Sequence, residues 1–298
     1  MSRGSCFKSL FILLQINCMN KFGGNWTKQK IDIVVSYAKA YLTIMNKYPQ
    51  FKTIYFDGFA GSGDINKKRS GAEVETGTAI RVLEIDKPKH FDIYYFVEKK
   101  EQFKNQLKAI IEEKFVDKKT YVVWGDCNEK LFSLSDFLKK NKSFRVLAFI
   151  DPFGMSVNWA SLEILKGLGI DLWILVPTGI GVNRLLKRDG NISESWFEKL
   201  ENFLGISREE LVKNFYKQYS YHNLFDDQVV TVQIKENNAI KKIHNLYKDR
   251  LITVFKYVSE AFVLRNSNNS IMFHFMMATN NPSAFKIANE IIKPTYKL

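Results

Sequence analysis

One stretch constrains this chain more than any other: Thr53-Ile54-Tyr55-Phe56-Asp57-Gly58-Phe59-Ala60-Gly61-Ser62-Gly63. Up to Phe56 it is apolar or β-branched, with no polar alternation. A strand of that kind is buried on both faces, as in a parallel sheet. It ends in an acid, and Gly58, Gly61 and Gly63 follow. Glycine adopts backbone conformations closed to other residues and lets a ligand approach the main chain. Strand, acid and glycine-rich turn together mark the carboxyl edge of an α/β sheet, where such sheets bind ligands. Taken alone, the stretch also suits a plain tight turn.

The pattern recurs downstream. Residues 92–97 read as a second strand closed by Glu98, and 121–124 as a third followed by Gly125-Asp126-Cys127-Asn128. Residues 145–150 read as a fourth, ending in Asp151-Pro152-Phe153-Gly154, and 172–176 as a fifth, stopped by Pro177. Acids thus stand at the ends of consecutive strands on one edge. A carboxylate at the second tip suits a ribose, because it accepts two hydrogen bonds from a vicinal diol. The plainer reading makes Glu98 the dipole partner of a helix over 99–114. The separation of Asp57 and Glu98 is roughly twice the usual spacing of about 20 residues. A polar insertion over 64–76, with Lys67, Lys68 and Arg69, accounts for the excess. That insertion reads either as a solvated loop or as an arm that contacts substrate. At the fourth tip, the Asp151 side chain and the Pro152 carbonyl suit an amino group, and the Phe153 ring suits a planar base. An ordinary Asp-Pro turn is the alternative.

Helices fill the intervals. Asn25 or Thr27 is a good N-cap for a helix to about Tyr48. Its stripe of Ile31, Val34, Val35, Ala38, Tyr41, Leu42 and Met45 is predicted to cover one face of the sheet. A short helix is predicted from Gly77 or Thr78 to Asp86. Beyond Pro177, residues 179–190 mix glycines with Asn183, Arg184, Lys187 and Arg188. These four are candidate substrate-binding residues for a phosphate or a nucleic-acid backbone. A helix start with a solvated basic face is the alternative. Helices are predicted over 193–203, 208–219 and 236–247, so 179–250 reads as a helical insertion and the seat of substrate choice. Residues 251–264 and 271–278 flank a polar turn and read as an antiparallel hairpin. Asn281-Pro282 then opens a final helix to about Ile292.

Composition narrows the function classes. A chain of 298 residues, 46% of them hydrophobic, suits one large domain with an insertion. The net charge of +13 favours an anionic partner such as nucleic acid. Its lysines are scattered, however, which also suits a lysine-rich proteome. Cys6, Cys18 and Cys127 show neither metal spacing nor a disulfide framework, which fits a reducing cytoplasm. His90, His222, His244 and His274 have no ligand-like spacing, so no metal is expected. No apolar run is long enough to span a membrane. Arg3, Lys8 and residues 10–16 faintly resemble a signal peptide, but no small-residue cleavage site follows. Residues 1–21 read as a flexible extension, with Met19 as a candidate start.

Asp57-Gly58-Phe59-Ala60-Gly61-Ser62-Gly63, Glu98, Gly125-Asp126 and Asp151-Pro152-Phe153-Gly154 lie in the order of a class I S-adenosylmethionine-dependent methyltransferase. More narrowly, the chain resembles the three-Cys-motif partner protein family, TcmP, over about residues 22–292. Its most specific match is Gly181-Val182-Asn183-Arg184-Leu185-Leu186-Lys187-Arg188-Asp189-Gly190. Phe22-Gly23-Gly24-Asn25-Trp26-Thr27 and Ala278-Thr279-Asn280-Asn281-Pro282 also fit. The family is named for a neighbouring three-cysteine protein, thought to be of radical-SAM type; the cysteines here are not that motif.

The resemblance implies a Rossmann-like α/β fold over 22–178 and 251–298. Its sheet is expected to be mostly parallel, with seven strands and a C-terminal antiparallel hairpin. It implies S-adenosylmethionine as cofactor, with Phe59, Ala60, Gly61, Ser62 and Gly63 under its methionine part. Asp57 is expected to hold the cofactor's amino group directly or through water, and Glu98 the ribose. Asp126 is expected to meet the adenine amino group, and Cys127 to line the adenine pocket. Asp151, Pro152 and Phe153 fall where base amino-methyltransferases carry an Asp/Asn-Pro-Pro-aromatic motif; Phe153 and Gly154 depart from it. The implied function is methyl transfer to nucleic acid or another large anion, alongside a three-Cys-motif protein. The alternative is a non-catalytic subunit of the same fold that binds nucleotide or nucleic acid.

Overall fold

The apolar run and its acid form β1, Lys52–Asp57, in a computed structural model that describes residues 26–63, 77–222 and 229–293. β1 lies between β2, Ile93–Glu98, and β4, Phe144–Ile150, and is parallel to both. β3, Thr120–Trp124, extends the sheet beyond β2, and β5, Ile170–Val176, extends it beyond β4, again in parallel. Five of the six β1 residues are buried, as expected of a strand covered on both faces.

Helices supply the two covering layers. α1, Trp26–Met45, α2, Thr78–Leu83, and α3, Glu101–Lys114, pack on one face. Val34, Tyr37, Ala38, Tyr41 and Leu42 of α1 are buried there, so its predicted stripe is core. α4, Cys127–Lys140, and α5, Trp159–Glu163, pack on the opposite face through Leu131, Leu134, Trp159 and Leu162.

After β5 a π-helical turn, Thr178–Val182, runs into the short α6, Asn183–Leu185. α7, Glu194–Leu204, and α8, Arg208–Phe215, follow. The helix expected to reach residue 219 stops at Phe215, and Tyr216–His222 is β6. Leu211 and Phe215 complete the buried face of α8. The Tyr216 hydroxyl then donates to the Lys187 carbonyl at 2.8 Å, in an extended backbone. β6 pairs antiparallel with β7, Val229–Lys235, in a separate two-stranded sheet. The insertion therefore carries two strands besides its helices. Its Leu200, Phe203, Leu211 and Ile243 join the same core as α4 and α5.

α9, Ala239–Val254, corrects a second expectation, since residues 251–254 read as strand in the sequence. Ile243, Tyr247, Leu251 and Val254 bury at helical spacing, and that stripe carries the helix through. β8, Tyr257–Val258, and β9, Phe262–Arg265, both pair antiparallel with β10, Ile271–Thr279. β10 in turn runs antiparallel to β5. α10, Pro282–Ile292, closes the chain over α1, with Asn281 as its N-cap.

The main sheet runs β3-β2-β1-β4-β5-β10-β8, with β9 also on β10. This is the Rossmann-like, mostly parallel arrangement that the sequence predicts. Eight strands appear instead of seven because the penultimate one is broken. Ser259 interrupts it, giving its amide to the Met277 carbonyl and accepting the Met277 amide on its hydroxyl. Strand order reverses between β1 and β4, and that reversal opens a crevice at the carboxyl ends of those strands. The expectations for residues 1–21, for Phe22-Gly23-Gly24-Asn25 and for the loop 64–76 lie outside the described residues.

Candidate functional site

The turn after β1 is fastened on both sides. The Gly58 amide donates to the Phe149 carbonyl of β4, and the Ala60 amide to the Val97 carbonyl of β2, each at 3.0 Å. Gly61 donates to Glu98 Oε2 at 2.9 Å. Gly61 and Gly63 have φ of +67° and +87°, the left-handed region that side chains resist. Gly58 is needed for a different reason. A Cβ there would come within 2.5 Å of Cys127 Sγ and 2.7 Å of Ile150 Cδ1. The Gly77 amide donates to the Gly63 carbonyl at 2.8 Å, so the two flanks of segment 64–76 lie side by side.

Two buried acids flank this turn. Asp57 is 1% exposed and accepts the Phe59 amide at 3.1 Å. Burial pushes its carboxyl up to about 7, against the Phe59 bond; nearby Asp151 adds to the rise and Lys30 opposes it. Glu98 accepts the Lys100 amide on Oε1 at 2.8 Å as well as Gly61 on Oε2. It thus serves the turn and the start of α3 together, and each oxygen keeps a lone pair for a further donor.

The third and fourth tips differ. Asp126 caps α4 through the Asn128 amide and pairs with Lys99 at 3.0 Å. Burial works against ionisation there, yet the Lys99 and Asn128 bonds hold its carboxyl below the usual range. Cys127 is buried against Gly58, and burial pushes its thiol up. Asn128 braces the edge from below, bonding to Asp126 and the Ser156 carbonyl, and accepting from Asn158 and Ser161. At the fourth tip Pro152 is buried and Phe153 is 71% exposed. The Lys100 ammonium stands 6.0 Å from the centroid of the Phe153 ring and 5.0 Å from that of Phe103.

Asp151 forms an ion pair with Lys30 of α1. Lys30 is 5% exposed, and sequence reading missed it. The signal was available, because Lys30 lies one helical turn before Val34, on the buried stripe itself. A lysine there needs a buried acid. Asp57, residues 58–63, Glu98, Cys127, Asp151 and Lys30 therefore gather around the crevice, while Asp126 flanks it.

The candidate substrate residues have other contacts. Arg184, Lys187 and Arg188 are exposed, and the Lys187 ammonium lies 5.3 Å from the Trp196 ring centroid. The Asn183 carbonyl accepts from Lys235 Nζ at 2.7 Å, which ties this segment to the foot of β7. Two histidines that look scattered in sequence also meet. His244 and His274 stack at 4.4 Å, and His274 shares a 2.7 Å hydrogen bond with Thr178. Burial, then the neighbouring His244, pushes His274 down to about 4. Among the described residues no cluster of three or more metal-binding side chains occurs, and no helix is long and apolar enough to cross a membrane.

No protein-family model matches the chain, and no curated protein matches it. Solved structures do match. A Legionella pneumophila protein of family DUF519 is 14% identical over 88% of this chain and 99% of its own, with a TM-score of 0.43. The O-methyltransferase from Bacillus cereus, in complex with SAH, is 14% identical over 94% of this chain and 92% of its own, with a TM-score of 0.39. Trm1 from Pyrococcus horikoshii, in complex with S-adenosyl-L-methionine, is 12% identical over 86% of this chain and 63% of its own, with a TM-score of 0.34. At that distance no residue role passes from them to this chain, whose chemistry rests on its own geometry.

Proposed function

We propose that the crevice between β1 and β4 binds S-adenosylmethionine and that the chain is a methyltransferase. One observation carries this: a turn with two glycines at positive φ is fastened to a buried strand-end carboxylate, Gly61 to Glu98 at 2.9 Å. Such a turn exposes main chain to a ligand, and the carboxylate keeps acceptor capacity for a diol. Residues 59–63 would hold the methionine part, Asp57 its amino group and Glu98 the ribose. Asp126 and Cys127 would border the adenine. When bound, the cofactor supplies an activated methyl group on a sulfonium. The protein's part is binding and alignment. Asp151, Pro152 and Phe153 would receive the acceptor at the fourth tip, an acid and a ring suited to a planar amine.

The acceptor is nucleic acid or another large anion, in keeping with the net charge of +13 and the exposed Arg184, Lys187 and Arg188. By resemblance to the TcmP family, the chain works with a three-Cys-motif protein in the cytoplasm. A second reading, a non-catalytic subunit of the same fold, draws support from the Lys30–Asp151 pair, which already engages the acid at the acceptor position.

Calorimetry with S-adenosylmethionine on wild type and Glu98→Ala tests the cofactor. Binding by wild type and at least tenfold weaker binding by the variant is expected. If wild type does not bind, the reading fails. Transfer of a labelled methyl group to DNA, RNA and protein, with and without the three-Cys-motif protein, separates the two readings. Transfer that Asp151→Ala abolishes supports the enzyme, and no transfer to any of them supports the non-catalytic subunit.

A further inference from the structure

β3 is an edge strand: it pairs with β2 on one side and, among the described residues, with nothing on the other. The Lys119 carbonyl accepts the Tyr94 amide, and the Gly125 amide donates to the Glu98 carbonyl. The residues in phase with these two, Tyr121 and Val123, therefore turn their main-chain groups to β2. Thr120, Val122 and Trp124 turn theirs to the free edge, where a row of unmet donors and acceptors is a template for another strand. Proteins blunt such edges with charge, with proline or by keeping them short. β8, at the other end of the sheet, has only two residues. β3 is Thr-Tyr-Val-Val-Trp, with no charge and no proline, and none of its residues is buried.

The side chains along this edge are open as well. Tyr121 is 45% exposed and Trp124 63%. Trp124 Nε1 donates to the Lys99 carbonyl at 3.0 Å, so the indole is held in place while it faces solvent. Exposed, pre-positioned tryptophan and tyrosine are the usual anchors of protein contacts. Val122 packs with the α3 layer, which places Thr120 and Trp124 on that side too. Tyr121 and Val123 take the other side, where the Tyr121 ring lies 6.3 Å from that of Tyr95.

Charge selects the partner. Just before β3 stands Lys119, exposed and in no ion pair among the described residues. Just after it stands Asp126, whose Oδ2 holds Lys99 and keeps acceptor capacity. A second copy laid parallel would set Lys119 beside Lys119. Laid antiparallel about a two-fold axis at Val122, it sets Val122 against Val122, Thr120 against Trp124, and Lys119 against Gly125, one residue from Asp126. The same register joins the free main-chain groups, because its hydrogen-bonded pairs are drawn from Thr120, Val122 and Trp124 alone. Tyr121 then meets Val123, an aromatic on a β-branched side chain. An unrelated strand would have to bring both the acid and the apolar pattern, whereas β3 supplies each to its own copy.

We propose that the chain forms a two-fold dimer through β3, pairing antiparallel about Val122 so that one sheet runs through both copies. This interface does not depend on the proposed cofactor or on methyl transfer.

Sedimentation velocity tests it over concentrations of about 1 to 100 μM. Wild type is expected to become dimeric within that range. Since Val122 faces itself, Val122→Lys and Val122→Glu each bring like charges together and are expected to weaken association roughly tenfold or more. An equimolar mixture of the two is expected to restore the dimer, because only a two-fold contact at this position turns both repulsions into one attraction. Hydrogen exchange on wild type gives a second measurement that needs no substitution. The Thr120, Val122 and Trp124 amides are expected to slow as concentration rises, and those of Tyr121 and Val123 to change little. This measurement decides the matter if a charged variant fails to fold by thermal unfolding. A wild type that is monomeric throughout, charged variants that still dimerise, a mixture that stays monomeric, or edge amides indifferent to concentration would each overturn the interface.

Discussion

The Gly61 amide and the Glu98 carboxylate, 37 positions apart in sequence, meet at 2.9 Å and join the turn after β1 to the tip of β2. Glu98 also holds the Lys100 amide, and only 4% of the residue is exposed. Glu98→Ala leaves two main-chain donors without their acceptor, at a cost of about 2 kcal/mol. Glu98→Gln keeps the shape but replaces one acceptor with a donor that faces an N–H. Both are expected to lose S-adenosylmethionine binding at least tenfold, with Glu98→Gln folding nearly as well as wild type. Calorimetry beside thermal unfolding measures the two effects. Unchanged binding in both would remove Glu98 from the site.

Lys30 and Asp151 allow a double-mutant cycle. Only 6% of the Lys30 side chain is exposed, against 27% for Asp151, so solvent screens the pair incompletely. Lys30→Met takes the ammonium from the Asp151 carboxylate and Asp151→Asn takes the carboxylate from the Lys30 ammonium, whereas the double variant removes both charges. The expected coupling is about 1 to 3 kcal/mol, with the double variant more stable than the sum of the singles. Urea unfolding of the four proteins gives the number. Additivity within about 0.5 kcal/mol would mean the pair does not hold the tip.

Gly179 is fixed by packing. A Cβ at this position would fall 1.8 Å from the Ile271 carbonyl oxygen and 3.3 Å from Met272 Cα, both main-chain atoms of β10. Gly179→Ala must therefore push the π-helical turn away from β10. A loss of about 2 to 4 kcal/mol is expected, a severe overpacking effect. Gly61→Ala meets nothing within 4 Å and is strained only by its φ of +67°, so it costs about 1 kcal/mol. Thermal unfolding of both variants checks the ranking, and equal losses would contradict it.

Much of this was legible because the sheet is buried on both faces. β1, β2, β4 and β5 are largely buried apolar runs, and an acid or proline marks the end of each. β3, at the sheet's edge, has no buried residue and was legible from its β-rich run before Gly125-Asp126. β6 was illegible because Leu211, Phe215, Tyr216 and Tyr219 continue a helical spacing across the boundary. The competing alternation of Lys217, Tyr219 and Tyr221 is equally short. Residues 251–254 misled in the opposite sense, since a β-rich composition hid the stripe from Ile243 through Val254. Lys30 has the look of a helix-surface lysine although its position is on the stripe. The meeting of His244 and His274 depends on how α9 crosses β10, which no local pattern encodes.

Asp57 ties stability to function through pH. Its carboxyl is raised to about 7 in the folded chain, by burial first, from an ordinary value of 3.8. The folded state therefore holds this proton more tightly than the unfolded chain does. The resulting stability is fully present below pH 3.8 and is lost as pH rises through 7. A tenfold change in proton affinity corresponds to about 1.4 kcal/mol, so the loss is on the order of a few kcal/mol. His274, lowered to about 4, runs the other way and loses stability as pH falls below 6.5. The comparison must therefore be between Asp57 variants at matched pH. Asp57→Asn keeps an acceptor for the Phe59 amide and removes the buried charge. It is expected to be more stable than wild type at pH 8, to match it near pH 4, and to bind S-adenosylmethionine at least tenfold more weakly at pH 8. Urea unfolding and calorimetry at both pH values measure this. A variant less stable than wild type at pH 8 would show that Asp57 stabilises the ligand-free fold instead of being strained within it.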